Sequence, residues 1–283
     1  ILDPMALMVD MTKLGFRQED MAKFQKGIAA PYGIILVTGP TGSGKTTTLY
    51  SALKSLNTTD VNIMTVEDPV EFNFDGINQV AVRADIGMTF AASLRSFLRQ
   101  DPDIIMVGEI RDSETAEIAI RAALTGHLVF ATLHTNDAPS SINRLLDMGV
   151  PFYLVASATK LILAQRMVRK ICQTCKKEIN LTREQVEGLG VPPDLLRNIR
   201  AFKGMGCHDC NETGMTGRTA IFEVMPITTK VERLILNKAS DDQIQKAALE
   251  DGMYSLRMSA IDKMKLGLVS IDEVYASTAA VIT

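Results

Sequence analysis

The residues with the clearest chemistry form a glycine-rich segment, GPTGSGKT, at positions 39–46. The segment matches the pattern G-x-x-x-x-G-K-[ST], in which backbone N–H groups surround phosphate oxygens and the lysine reaches the β- and γ-phosphates. The hydroxyl of its final threonine is a ligand for Mg²⁺. An apolar run before it and a helical pattern after it favour this interpretation over a plain glycine-rich turn. The sequence predicts that ATP with Mg²⁺ binds at these residues: Gly39, Thr41, Gly42, Ser43, Gly44, Lys45, Thr46 and Thr47.

Acidic residues follow two predicted strands and are candidates to hold Mg²⁺ and to activate water. Glu109 comes just after the apolar run 104–107, and ligands bind at the carboxyl ends of strands in open α/β sheets. Gly108 stands where an aspartate usually precedes such a glutamate, so we expect Glu109 to hold Mg²⁺ through water. A second group follows the strand-like run 61–66 and consists of Glu67, Asp68 and Glu71. Composition alone does not choose the proton acceptor among these three.

Histidines and arginines lie close to the same predicted strand ends. His134 follows the strand-like run 127–133, where a polar group can contact the γ-phosphate and respond to its loss. His127 opens that run, and for it a structural role is an equal alternative. Four arginines flank the acidic segments: Arg83, Arg95, Arg99 and Arg111. An arginine that reaches a neighbouring subunit's nucleotide can accelerate hydrolysis by about 10³–10⁵, but each of these is also explained as a salt-bridge partner.

The four cysteines form two C-x-x-C pairs, Cys172 with Cys175 and Cys207 with Cys210. Two such pairs can supply four thiolates to one tetrahedral Zn²⁺, and a site closed by four protein ligands favours a structural role. The loop between the pairs is longer than the commonest spacing, and His208 could replace one thiolate. The sequence favours zinc over free thiols, and over a disulfide, which is rare in proteins that use cytosolic nucleotide.

Apolar runs alternate with helical patterns from residue 33 onward, which predicts a mainly parallel sheet covered by helices on both faces. Residues 1–30 and 153–163 are predicted to be mostly helical. The predicted architecture is α/β, with three parts. These are a RecA-like P-loop NTPase core at 1–170, a tetracysteine zinc module at 171–218 and a C-terminal helical subdomain at 219–283.

Composition argues against several classes of function. The formal net charge is −3, aromatic residues make up 5% of the chain, and tryptophan is absent. A nucleic-acid motor would need a basic channel and stacking aromatics. Since no apolar run approaches the ~20 residues that span a bilayer, we expect membrane contact only through partners. The chain does not begin with methionine, so we expect an upstream domain ahead of Ile1.

Together these segments resemble the secretion ATPases that drive type IV pilus assembly and type II secretion. GPTGSGKTT at 39–47 is similar to the family's Walker A loop, and TVEDPVEF at 65–72 to its acidic Asp box. VGEIRD at 107–112 resembles its Walker B segment, including the glycine before the glutamate. TGHLVFATLHTNDA at 125–138 is similar to its His box. The resemblance covers nearly the whole chain.

The resemblance implies roles for individual residues. Glu71 matches the family's catalytic base, and Glu109 matches its Walker B glutamate. His127 and His134 match the family's His-box pair. Arg95 and Arg99 match a stretch whose arginines contact acidic groups or phosphate in the family. The implied catalytic set is Lys45, Glu71, Glu109 and His134.

The resemblance also implies an assembly and a location. The tetracysteine module and the segment MTGRTAIFEV at 215–224 indicate the assembly side of the family rather than retraction. The expected protein is the C-terminal motor half of a homo-hexamer at the cytoplasmic face of the bacterial inner membrane. It would drive pilin polymerisation through an inner-membrane platform protein. Family members carry an N-terminal domain that contributes arginines, so we expect these residues alone to hydrolyse ATP slowly and to assemble poorly.

Several alternatives stay open at this point. Type II secretion and surface pili are powered by the same superfamily. Outside it, the rivals are a RecA-like nucleic-acid motor, a small-molecule or nucleotide kinase, and a non-catalytic nucleotide sensor.

Overall fold

The computed structural model describes residues 10–191, 193–196 and 199–278 of the 283-residue chain. Its strands are β1 (Gly33–Thr38), β2 (Ile63–Glu67), β3 (Ile77–Ala81), β4 (Ile104–Val107), β5 (Leu128–Leu133), β6 (Thr159–Ile171), β7 (Lys176–Ile179), β8 (Ala201–Gly204) and β9 (Met215–Pro226). Its α-helices are α1 (Gln18–Ile28), α2 (Lys45–Leu56), α3 (Phe90–Phe97), α4 (Ser113–Leu124), α5 (Ser140–Asp147), α6 (Phe152–Ala158), α7 (Arg183–Glu187), α8 (Thr229–Leu236), α9 (Asp241–Glu250), α10 (Leu256–Lys265) and α11 (Ile271–Ser277).

A seven-stranded sheet in the order β3-β2-β4-β5-β1-β6-β9 forms the centre of the protein. Every neighbouring pair in it is parallel except β6 with β9. Alternate side chains of β1 enter two different cores, with Ile34 and Leu36 on one face and Ile35 and Val37 on the other. Such strands are buried on both faces and therefore read as continuous apolar runs. The predicted α/β class with a mainly parallel sheet is confirmed.

The topology brings several loops to one edge of this sheet. β1, β2, β4 and β5 are parallel to one another, so their carboxyl ends lie at the same edge. The strand order reverses beside β1, which is where open α/β sheets bind their ligands. The glycine-rich segment, both acidic segments and His134 all follow these four strands.

The region after α6 differs from the helix predicted for residues 153–163. The helix ends at Ala158, and a 13-residue strand, β6, begins at Thr159. β6 pairs with β1 on one side and with the 12-residue β9 on the other. The helix prediction was wrong here because residues 161–165 are buried throughout, and an apolar run without alternation does not distinguish helix from strand. β9 also runs across the predicted boundary at 218/219.

The N-terminal segment packs against the antiparallel end of the sheet. The described part of this segment begins with a short 3₁₀ helix at Met11–Lys13, and α1 follows from Gln18. Residues 1–9 of the predicted helical segment lie outside the described residues. The ring of Phe16 stacks on Phe222 of β9 with 3.7 Å between ring centroids. Within the segment predicted to be mostly helical over 1–30, residues 14–17 thus separate two helical stretches.

The C-terminal part contains the helices predicted from the sequence. α8 to α11 follow β9 as four short helices, each with a threonine or serine N-cap whose side chain accepts a backbone N–H. Residues 279–283 of the predicted C-terminal helical subdomain lie outside the described part. No helix in the described ranges combines the length and the apolar character needed to cross a lipid bilayer.

Candidate functional site

The glycine-rich loop between β1 and α2 has the conformation that phosphate binding requires. Gly44 has a positive φ of 87° and immediately precedes α2, so the first N–H groups of the helix have no intrahelical partner. The Lys45 ammonium donates to the carbonyl oxygens of Gly39 at 2.8 Å and of Pro40 at 3.2 Å. Burial lowers the pKa of Lys45, and Glu109 opposes this change. Ser43 has a buried hydroxyl without a partner among the described residues, which fits a loop completed by phosphate oxygens.

A buried glutamine on β6 supports this loop and was not identified from the sequence. Gln165 is 2% exposed, and its Oε1 accepts a hydrogen bond from the Thr48 hydroxyl of α2 at 2.7 Å. A Cβ at Gly39 would lie 2.3 Å from the Gln165 carbonyl oxygen, and one at Gly44 would lie 2.8 Å from its Nε2. Close approach of β6 therefore requires glycine at both positions. The sequence signal that could have revealed Gln165 is a single amide side chain at the end of the apolar run 161–164.

A small pocket of about 80 Å³ at the carboxyl ends of β2, β4 and β5 is lined by two of the four predicted catalytic residues, Glu71 and Glu109. Its polar lining consists of Thr46, Glu67, Asp68, Glu71, Glu109 and Thr132. This volume is enough for an ion with several water molecules. The two residues predicted to hold Mg²⁺ thus face the same space as the acidic segment after β2.

Glu109 is the electrostatic centre of this pocket. Its Oε1 lies 2.9 Å from His134 Nε2, and its Oε2 lies 2.7 Å from the Arg111 guanidinium. Arg111 also pairs with Asp68 at 3.3 Å, and these hydrogen bonds raise the pKa of Arg111. The contact between Glu109 and His134 joins the loops that follow β4 and β5. A displacement of one loop would therefore act on the other.

The structure separates the three acids after β2 that composition left equal. Glu67 is buried and accepts hydrogen bonds from the Tyr50 hydroxyl, from Thr65 at 2.6 Å and from Gln79 at 3.1 Å. Burial raises the pKa of Tyr50, and the hydrogen bond to Glu67 raises it further. The Tyr50 hydroxyl therefore keeps its proton and remains a donor. Asp68 is paired with Arg111. Glu71 is exposed, and its carboxylate has no partner among the residues that the structure describes, which leaves it available as a base.

Several predicted site residues are not brought to this pocket. His127 precedes β5 at the opposite edge of the sheet, about 20 Å along the strand from His134. Its Nδ1 lies 3.0 Å from the Ala122 carbonyl oxygen, which favours the structural alternative for His127. Arg95 pairs with Glu114 on the helix surface. Arg99 is exposed beyond the end of α3, so neither arginine reaches the pocket of its own chain.

The four cysteines meet in one cluster with the geometry of a metal site. All four Sγ atoms lie within 4.8 Å of one another. The Sγ atoms of Cys172 and Cys207, and those of Cys175 and Cys210, are 3.8 Å apart, and Cys207 and Cys210 are separated by 3.7 Å. A tetrahedron of Zn–S bonds of about 2.3 Å has edges of about 3.8 Å. The cysteines therefore fit Zn²⁺, and His208 is exposed and outside the cluster.

The sequence and the fold match one family of proteins. The family model for "Type II/IV secretion system protein" matches residues 1–276. The chain belongs to this family. The type II/IV secretion family includes the type IV pilus assembly ATPase of Myxococcus xanthus, which is 56% identical over 99% of this chain and 50% of its own length. The type II secretion ATPase of Vibrio cholerae is 44% identical over 98% of this chain and 55% of its own.

A solved member of the type II/IV secretion family has the same architecture. The pilus retraction motor PilT with bound ADP matches with a TM-score of 0.72 and 30% identity, over 96% of this chain and 67% of that one. This chain spans about half the length of the relatives from M. xanthus and V. cholerae.

Gly108, the residue before Glu109, has little space for a side chain. A Cβ there would lie 3.1 Å from the Val66 carbonyl oxygen and 3.2 Å from Glu67 Cα, both on the backbone of β2. The Gly108 N–H also donates to the Val66 carbonyl oxygen at 2.7 Å. Any larger residue at this position, aspartate included, would require the β2 backbone to shift by a few tenths of an ångström.

We therefore expect Gly108→Ala to force the ends of β2 and β4 apart. Overpacking of this kind costs about 1–3 kcal/mol in the free energy of unfolding. Urea unfolding of the variant and the wild type, followed by circular dichroism, measures the difference. An unchanged midpoint and slope would show that the strand ends separate without cost.

Proposed function

We propose that this chain is the ATP-hydrolysing motor part of a type IV pilus assembly ATPase. The observation that carries the proposal is the convergence of Thr46, Glu71 and Glu109 on one pocket beside the phosphate-binding loop. Identity of 56% to a pilus assembly ATPase, against 44% to a type II secretion ATPase, favours pilus assembly. The protein would work as a homo-hexamer at the cytoplasmic face of the inner membrane. It would act on pilin through an inner-membrane platform protein.

The residues divide the work of hydrolysis as follows. Lys45 and the N–H groups of the loop bind the β- and γ-phosphates. Thr46 and Glu109 would hold Mg²⁺, which neutralises charge on the phosphate oxygens. Water attacks the γ-phosphorus and gives its proton to Glu71, while the bond to the β–γ bridging oxygen breaks and ADP leaves. His134, in contact with Glu109, lies where it can respond to the loss of the γ-phosphate.

Phosphate release assays test the phosphate-binding loop. The chain is expected to hydrolyse ATP in the presence of Mg²⁺, and Lys45→Ala should lower kcat/KM by about 10²–10³-fold because a charged donor to the transition state is lost. Lys54→Ala is the matched control, since Lys54 is exposed at the end of the same helix. Equal activity of the Lys45 and Lys54 variants would refute the site.

Deletion of the full-length protein in its host tests the choice of machine. Loss of surface pili with normal protein secretion is expected. Loss of secretion with intact pili would assign the protein to type II secretion instead.

A further inference from the structure

A buried carboxylate on β9 contacts two distant segments of the chain, and neither contact lies in the catalytic pocket. Glu223 is 2% exposed. Its Oε1 accepts the backbone N–H of Ala138 at 2.7 Å, and its Oε2 accepts the backbone N–H of Leu256 at 3.2 Å. Burial of a carboxylate is costly unless it is hydrogen-bonded. Each oxygen is satisfied by a different segment, one after β5 and one at the start of α10.

The first partner belongs to the loop formed by residues 134–138, here called the His134 loop. Its first residue contacts Glu109 in the pocket. The hydroxyl of Thr38, the last residue of β1 before the phosphate-binding loop, donates to the Thr135 carbonyl oxygen at 3.0 Å. Glu223 holds the other end of the loop. The loop is thus fixed between the nucleotide site and β9.

The second partner is the first residue of α10. This helix packs on β9 and also on β8. β8 belongs to the tetracysteine module predicted at 171–218, here called the four-cysteine module. Immediately after it, the Leu268 carbonyl oxygen accepts the N–H of Ile171 at 2.8 Å. Ile171 is the residue before Cys172, so α10 extends from Glu223 to the base of the cysteine cluster.

The electrostatics of Glu223 make its two contacts depend on each other. Burial raises the pKa of Glu223 to about 7, and Asp137 adds to the rise. The N–H groups of Ala138 and Leu256 and the guanidinium of Arg166 act in the opposite direction. Each N–H group stabilises the ionised carboxylate, which is the better acceptor for the other N–H group. Withdrawal of one partner therefore weakens the other contact.

We propose that Glu223 is a positioning residue that couples the His134 loop to α10. A displacement of the loop when the γ-phosphate is lost then moves the start of α10, and through α10 the four-cysteine module. The reverse also holds, because coupling between two sites is reciprocal. The inference rests on the ATPase function proposed above, which supplies the nucleotide to which the loop responds.

Two variants separate coupling from simple stabilisation. Glu223→Gln keeps the side-chain volume but presents an amide NH₂ to one of the two N–H groups, so one contact must break. Ser259→Ala is the matched control, since Ser259 is buried on α10 and accepts the N–H of Phe222 at 3.2 Å. It removes a bond between the same helix and strand without touching the His134 loop.

The glutamine variant is expected to lower kcat by about 10–150-fold, the effect of losing one hydrogen bond to a charged group. Its dissociation constant for a fluorescent ATP analogue with Mg²⁺ should stay within about twofold of the wild type, because the phosphate-binding loop is unchanged. Ser259→Ala should keep both quantities within about twofold. Wild-type kcat in Glu223→Gln, or equal losses in both variants, would overturn the proposal.

Hydrogen exchange of the wild-type chain tests the same proposal without any variant. Replacing a non-hydrolysable ATP analogue with ADP should change exchange at residues 134–138 and at 255–259 together. A change confined to the His134 loop would overturn the coupling. Absence of ATP hydrolysis in the wild type would contradict the proposed function instead. In that case nucleotide-free protein decides: if the two contacts are coupled, Glu223→Gln raises exchange at both segments, whereas Ser259→Ala frees only the Phe222 N–H of β9. Faster exchange at only one of the two segments in Glu223→Gln would overturn the coupling.

Discussion

Glu71→Gln is expected to lower kcat for ATP hydrolysis by about 10²–10⁴-fold, the usual contribution of a general base. Glu71 faces the pocket with a carboxylate that has no partner in the described part of the chain, whereas Glu67 is buried and accepts from three donors and Asp68 is paired with Arg111. Glutamine removes the proton acceptor and keeps the size, so ATP affinity should hardly change. Steady-state kinetics, together with binding of a fluorescent ATP analogue, separate the two quantities.

The matched control for this variant lies in the same loop. Asp75 is exposed and does not line the pocket, and Asp75→Asn should leave kcat within about twofold. An active Glu71→Gln variant combined with an inactive Asp68→Asn variant would move the base to Asp68. Loss of ATP binding in Glu71→Gln would show that the residue shapes the site rather than accepting the proton.

Loss of the metal from the cysteine cluster is expected to unfold the module that contains it. Zinc binding contributes about 10–16 kcal/mol to the folding of small metal-binding modules at neutral pH. The secondary structure of the module contributes little stability, since β7 and β8 form only a two-stranded sheet. Such pairs are marginally stable alone. Cys210→Ser removes a buried ligand whose sulfur also accepts the N–H groups of Cys207 and Gly214.

Elemental analysis and limited proteolysis measure this effect. The wild type should carry one zinc ion per chain and resist cleavage between residues 172 and 214, and Cys210→Ser should lose both properties. His208→Ala is the control, because His208 lies between two ligands in sequence but outside the cluster. Zinc loss in the His208 variant, or full resistance of metal-free wild type, would contradict the assignment.

The sequence predicted the parallel part of the sheet well because that part is built from unambiguous apolar runs. The apolar run 104–107 was predicted as a strand and is observed as β4, Ile104–Val107. The antiparallel pair was missed. β6 is buried on both sides of the sheet near β1, so its side chains show no period of two, and β9 was noticed only as a family motif. Pairing between distant segments leaves no local signal when their side chains do not alternate between buried and exposed.

The site shows the same limit in another form. The motif places His127 and His134 in one box, but an extended strand separates its two ends, and only His134 lies near Glu109. Composition left three acids equal after β2, and the choice among them depends on Tyr50 and Arg111, which are distant in sequence. The polar residues inside apolar runs, Gln165 and Glu223, can be read from the sequence, whereas their hydrogen-bond partners are distant in sequence and leave no local signal.

The length of β6 has a mechanical consequence. The strand passes beside the phosphate-binding loop at Gln165 and ends at Ile171, next to Cys172, roughly 20 Å further along. It pairs with β9 from Leu161 to Ile171, with a register shift between Arg169 and Ile171, and this pairing stiffens most of its length. A tilt of about 10° at the loop would carry the tip by about 3.5 Å over that span. A small adjustment around a bound phosphate group would thereby become a larger displacement beside the cysteine cluster.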